Sequence, residues 1–103
     1  MRRTKKVTLR KVTIKGLSPT APRHPGTLLR MKLEVAHLDQ GTAADTIGVN
    51  INTIHDLVNG RRSIALDMAM RLAILFPDTN PFYWLGLQNE YDVWHHPLTK
   101  VVA

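Results

Sequence analysis

The chemistry available to this sequence is that of hydrogen bonding rather than of bond breaking. Five histidines stand at 24, 37, 55, 95 and 96, without the His-Glu-x-x-His spacing that would set two imidazoles on one helix face around a metal. There is no cysteine, no glycine-rich phosphate loop and no nucleophile elbow, so the chain reads as a non-enzyme that calls for no metal and no cofactor. It does concentrate donors and acceptors in one short stretch. Ile51, Asn52, Thr53, His55 and Asp56 combine amide, hydroxyl, imidazole and carboxylate groups with an apolar contact, a set suited to the edges of base pairs. Asn52 and His55 are the leading candidates for base edges, Ile51 or Thr53 for a thymine methyl, and Asp56 for the N4 donor of cytosine. His55 stands equally well as a solvated surface residue. Around them Gln40, Asn50, Asn59, Arg61 and Arg62 offer donors for phosphate oxygens, which fix position rather than sequence.

Those residues need helices to hold them, and the apolar periodicity supplies five. Leu28, Leu29, Leu33 and Ala36 recur at three- and four-residue steps over a first helix of 26–36. Asp39 is suited to cap a second over 40–47, ended by Gly48, and Asn50 a third over 51–58, stopped by Asn59-Gly60. A fourth covers 66–76 before Pro77. A fifth, capped by Thr79 or Asn80 with Pro81 at its first position, is expected to run to about Asp92, and His95-His96-Pro97 reads as a solvated tail. Between the second and third helices the turn is too tight for anything but a steep crossing. Ala44 is small where the two helices touch, and Gly48 suits a residue of positive φ. Ala43, Ile47, Val49, Ile54 and Leu57 form the buried wedge, which leaves the candidate base-reading residues on the outer face. Trp84 reads as core, while Leu85, Leu87 and Tyr91 are the candidates for a homodimer interface.

The net charge of +6 is unevenly spread: residues 1–23 carry eight Lys and Arg and no acid, for +8, and the remainder carries −2. Ser18 to Pro25 holds three prolines among turn formers and marks the boundary. The organisation expected is therefore a flexible basic N-terminal arm over 1–23, a helix-turn-helix domain over 24–93 and a C-terminal tail over 94–103. Val7, Leu9, Val12 and Ile14 alternate in the arm, a hint of one or two short strands that could pair with a partner's sheet edge. The arm adds phosphate affinity through counterion release, or else serves only as a solubilising extension. No apolar run approaches the roughly 20 residues of a membrane span, and the absence of cysteine fits a reducing cytoplasm.

Gln40, Ala44, Gly48, Val49, Ile54 and Leu57 together resemble the helix-turn-helix of lambda-repressor-like (XRE) domains. His24-Pro25-Gly26, Asn59-Gly60-Arg61 and the stretch from Pro81 to Asp92, with its Trp-Leu-x-Leu-Gln-x-x-Tyr-Asp run, narrow the resemblance, over about 24–93, to the HigA antitoxins of HigB/HigA toxin-antitoxin modules. The resemblance implies an all-α, five-helix domain that represses its own operon by binding double-stranded operator DNA as a homodimer, and that neutralises a HigB-like RNA-cleaving toxin. Its departures are Ala65, where relatives carry Thr and the cap would fall to Ser63 or to Asp67, and Asp56, where they carry a basic or amide residue. The basic arm lies outside the match. For a basic toxin, Glu34, Asp39 and Asp45 offer a better face than the arm. Two other readings remain from sequence: a stand-alone repressor with no toxin, and a helix-turn-helix fold used only for protein contacts.

Overall fold

Pro25 at the first helical position and the ring of His24, whose Nδ1 accepts from the Gly26 N–H at 2.9 Å, start the first helix, α1 (Pro25–Val35). In the computed structural model, which describes residues 9–100, four more follow: α2 (Gln40–Ile47), α3 (Ile51–Val58), α4 (Leu66–Leu75) and α5 (Pro81–His95). Asp39 caps α2 by accepting from the Thr42 N–H at 2.7 Å, Asn50 caps α3 through the Asn52 N–H at 2.8 Å, and Asn80 caps α5 through the Tyr83 N–H at 2.9 Å. Gly48 closes α2 at φ 70°, the left-handed conformation expected of it. Neither candidate for the α4 cap takes the role: Ala65 stands at the N-cap with no side-chain bond, and Asp67 contributes only its charge in the first turn.

One apolar cluster joins all five helices. Leu29 and Leu33 of α1, Ala43, Ala44 and Ile47 of α2, Ile54 and Leu57 of α3, Leu72 of α4 and Trp84 of α5 are buried in it. Helix α1 packs on α3, α2 on α3 and α4, and α4 on α5. Trp84 is 0% exposed, and its indole N–H donates to Thr79 Oγ1 at 2.9 Å, so the ring is buried without stranding its donor. Among the described residues the one buried polar side chain, Gln88, bridges α5 to the loop before α4: its carbonyl accepts from the Ile64 N–H at 2.9 Å and its amide donates to Asp92 at 2.9 Å.

The chain on either side of the helices departs from expectation. Helix α5 continues to His95 rather than ending near Asp92. Two residues of the arm, Val12–Thr13 (β1), pair in parallel with Thr99–Lys100 (β2). The Trp94 indole donates to the Ser18 carbonyl at 2.9 Å, a second tie between the segments at the two ends. Val7 and the basic residues Arg2, Arg3, Lys5 and Lys6 lie outside the described residues, as do 101–103. Among the described residues, no helix is long and apolar enough to cross a membrane.

Candidate nucleic-acid interface

Burial sorts the residues of α3 by face. Ile54, Leu57 and Val58 point into the core, Ile51, Asn52 and His55 are exposed, and Thr53 and Asp56 are half-buried at the margins. Because Gly48 turns the chain in a left-handed conformation and the Val49 N–H bonds the Ala44 carbonyl at 3.0 Å, α3 leaves α2 steeply and stands at the surface. Ala44, 1% exposed, sits in the α2–α3 contact, where a longer side chain would force the helices apart.

The α3 backbone is anchored at both ends by bonds to its own and neighbouring elements. Asn50 spends its carbonyl oxygen on the α3 cap, leaving its amide free. At the other end, Asn59 donates to the His55 carbonyl at 2.8 Å and accepts from the Arg30 guanidinium of α1 at 3.1 Å, and Arg30 also donates to the Val58 carbonyl at 3.2 Å. Asn59 thus closes α3 through one N–H of its side chain, and its amide nitrogen lies 3.4 Å from the ring nitrogens of His55. Arg71 of α4 does for α2 what Arg30 does for α3, donating to the Ile47 carbonyl at 2.5 Å while paired to Asp67 at 2.8 Å. Both arginines look like surface charges in sequence. Their partners lie 28 and 24 residues away, and no local signal points to them.

Asp56 and Arg61, one a candidate base reader and the other a candidate phosphate contact, are joined by an ion pair at 3.4 Å, with the Arg61 N–H on the Asp56 carbonyl at 2.8 Å. The pair holds the loop after α3 close to the reading face and offsets one cation there. Arg62 is exposed beside it, and Gln40 is half-buried at the first position of α2. The face therefore presents Asn52, His55 and Ile51 at its centre and the Asn50 amide, Gln40, Arg61 and Arg62 around it. Among the described residues no group of three or more His, Cys, Asp or Glu side chains could hold a metal.

A residue the sequence placed only in a resemblance proves central to this geometry. His24 caps α1 and lies edge-on to Tyr91 of α5 with centroids 5.0 Å apart. Burial of its ring holds its pKa below the ordinary 6.5, against the opposing pull of Asp92 and the Arg62 carbonyl. Of the three dimer candidates, Leu85 and Leu87 pack as half-buried residues against the core, and Tyr91 is half-buried between His24 and His95.

No protein-family model matches the chain. It is 38% identical over 74 residues to an HTH-type transcriptional regulator of Haemophilus influenzae, covering 71% of this chain and 68% of that protein. It is 31% identical over 74 residues to antitoxin HigA-1 of Vibrio cholerae, again over 71% of this chain and 69% of the other. With virulence-associated protein A′ of Dichelobacter nodosus it shares 33% over 72 residues, 70% of this chain but only 63% of that protein's length. The structure of Pseudomonas aeruginosa antitoxin HigA with the higBA promoter superposes with a TM-score of 0.67 at 36% identity, covering 71% of this chain and 79% of that one. On this likeness of sequence and of fold, the chain belongs to the HigA family of helix-turn-helix antitoxins.

Proposed function

We propose that this protein is a cytoplasmic, operator-binding antitoxin that represses its own operon as a homodimer and neutralises a HigB-like RNA-cleaving toxin, without being an enzyme itself. The observation that carries the reading is the outer face of α3. There Asn52, His55 and Ile51 are exposed on a helix whose backbone is held from α1 by Arg30, with α2 held in turn from α4 by Arg71. Asn52 reads a base edge, with His55 beside it and Ile51 or Thr53 against a methyl group. The Asn50 amide, Gln40, Arg61 and Arg62 hold the phosphates, and Asn59 acts indirectly by closing α3. Asp56 serves first to orient Arg61, and accepts from cytosine only where the ion pair opens. Glu34 and Asp45, exposed on α1 and α2, offer acidic groups to a basic toxin.

The test is a pair of variants measured on the protein's own upstream DNA and on random DNA. Asn52→Ala loses about 1–3 kcal/mol on the upstream site alone and relaxes one base position, whereas Arg61→Ala weakens both DNAs alike and lowers the salt slope by about one. Equal losses of Asn52→Ala on the two DNAs would remove it from the reading set. A second reading, a repressor without a toxin, is favoured by the relative in Haemophilus influenzae, which is described only as a transcriptional regulator. Co-purification with the product of an adjacent small reading frame separates the two.

A further inference from the structure

The helices by themselves are poorly matched to a polyanion: residues 24–92 hold five Lys and Arg against eight Asp and Glu, a net charge of −3. The segments on either side reverse that balance. Residues 9–23 carry Arg10, Lys11, Lys15 and Arg23 with no acid, and 93–100 carry Lys100 with none, four charges and one for +5. We infer that these two segments form a fixed cationic track that grips the phosphates of duplex DNA flanking the operator, outside the bases that α3 reads. The inference rests on the proposed operator reading for where the track lies on the DNA, and not for its affinity.

The track is continuous with the candidate phosphate contacts. A Cβ on Gly60, in the loop that leads into Arg61 and Arg62, would stand 3.6 Å from Cγ of His24, and Arg23 is the next residue of the arm. From there the arm is held at two points. The Trp94 indole fastens the Ser18 carbonyl to the end of α5, and β1 pairs with β2, itself tied back to α5 by the Thr99 hydroxyl on the Val93 carbonyl at 2.5 Å. Arg10 and Lys11 lead into β1, Lys15 follows it and Lys100 ends β2, so the pairing gathers four cations in one short ribbon. All four are exposed, and among the described residues none is in an ion pair. The ribbon also projects. The radius of gyration is 17.7 Å, against about 12–13 Å for a compact domain of this length, and the longest dimension is 62 Å. A projecting ribbon of one sign fits a phosphate backbone and repels a basic protein.

Fluorescence anisotropy on the full chain tests this with two duplexes, one cut to the upstream palindrome and one carrying about ten further base pairs of arbitrary sequence on each side, between about 50 and 200 mM salt. Wild type binds the longer duplex roughly tenfold more tightly, and its log–log salt slope steepens by about 0.9 for each phosphate gained. Replacing Arg10, Lys11 and Lys15 together by Gln removes both gains and leaves the preference for upstream over scrambled DNA unchanged. Trp94→Phe keeps every charge but loses the bond to Ser18, and it too lowers the gain on the longer duplex. Thermal unfolding checks that each variant is folded, and if Trp94→Phe is not, Thr99→Val loosens the same ribbon from α5. Equal wild-type affinity for the two duplexes, or a triple variant that keeps the gain, would overturn the inference. So would a gain untouched by loosening the ribbon, which would make the arm a loose charged tail, or one that RNA competes away where random duplex DNA does not. The two readings fail separately: a length gain without preference for the upstream sequence refutes the operator, and a preference without a length gain refutes the track.

Discussion

Replacing glycine by alanine should have opposite consequences at two helical positions. Gly26, second in α1, presses on the last turn of α3: a Cβ there would stand 1.7 Å from the Leu57 carbonyl oxygen and 2.7 Å from its carbon. Both are backbone atoms of a residue that is 0% exposed, and the same oxygen accepts from the Gly60 N–H at 3.0 Å, so neither side can yield by turning a side chain. In Gly26→Ala, α1 must lift from α3 by well over an ångström, which belongs at the upper end of overpacking costs, about 3 kcal/mol. The lower chain entropy of alanine returns about 0.5–1 kcal/mol. The net loss of about 2 kcal/mol lowers Tm by roughly 10–15 °C in a domain of this size. Gly86 in α5 has no atom within 4 Å of the same Cβ, so Gly86→Ala stabilises by about 0.5–1 kcal/mol and raises Tm by roughly 3–6 °C. Thermal unfolding by circular dichroism, with urea titrations as a second measure, reads both. If the two substitutions shift Tm in the same direction, the close approach of α1 to α3 is wrong.

Further outcomes follow from the site. Asp56→Asn releases Arg61 from its ion pair and removes an anion from the reading face, so affinity for random DNA rises and its salt dependence steepens; a loss confined to one operator base pair would instead make Asp56 a direct reader. Arg30→Leu leaves the Val58 carbonyl and the Asn59 side-chain oxygen without their α1 partner and costs about 1 kcal/mol by urea unfolding, an unchanged midpoint counting against the anchoring of α3. His24 binds its proton less readily folded than unfolded, so its contribution to stability is complete above about pH 6.5 and is lost as pH falls through that value and then through the lower folded pKa. His24→Asn keeps an acceptor for the Gly26 N–H and abolishes that component; the same pH profile in variant and wild type would show that His24 does not carry it.

What the sequence revealed depended on how local each signal was. The boundaries of α2 and α3 were legible because Asp39, Gly48 and Asn50 act within three residues of themselves, and the two faces of α3 followed from its period. Trp84 could be placed in the core because a domain this small must bury its largest apolar side chain. The role of Gly26 could not be read, since the carbonyl it faces lies 31 positions away on α3. The pairing of Val12–Thr13 with Thr99–Lys100 and the hold of Trp94 on Ser18 are longer-range still, and without them nothing in His95-His96 distinguished helix from tail. At α4 the helix itself was visible, but which of its apolar residues faced outward was not: Leu66, Met70 and Ile74 are exposed because α2 and α5 pack on the other sides.

The central claim, recognition of a specific duplex by the outer face of α3, is tested most directly by fluorescence anisotropy with the full chain. The titration compares the DNA upstream of its own gene with scrambled DNA of the same length, at two salt concentrations. A preference of roughly a thousandfold or more for the upstream DNA is expected, persisting when residues 1–8, four of which are basic, are removed. Equal, weak and steeply salt-dependent binding to both DNAs would contradict it, and would leave α3 as a surface for a protein partner.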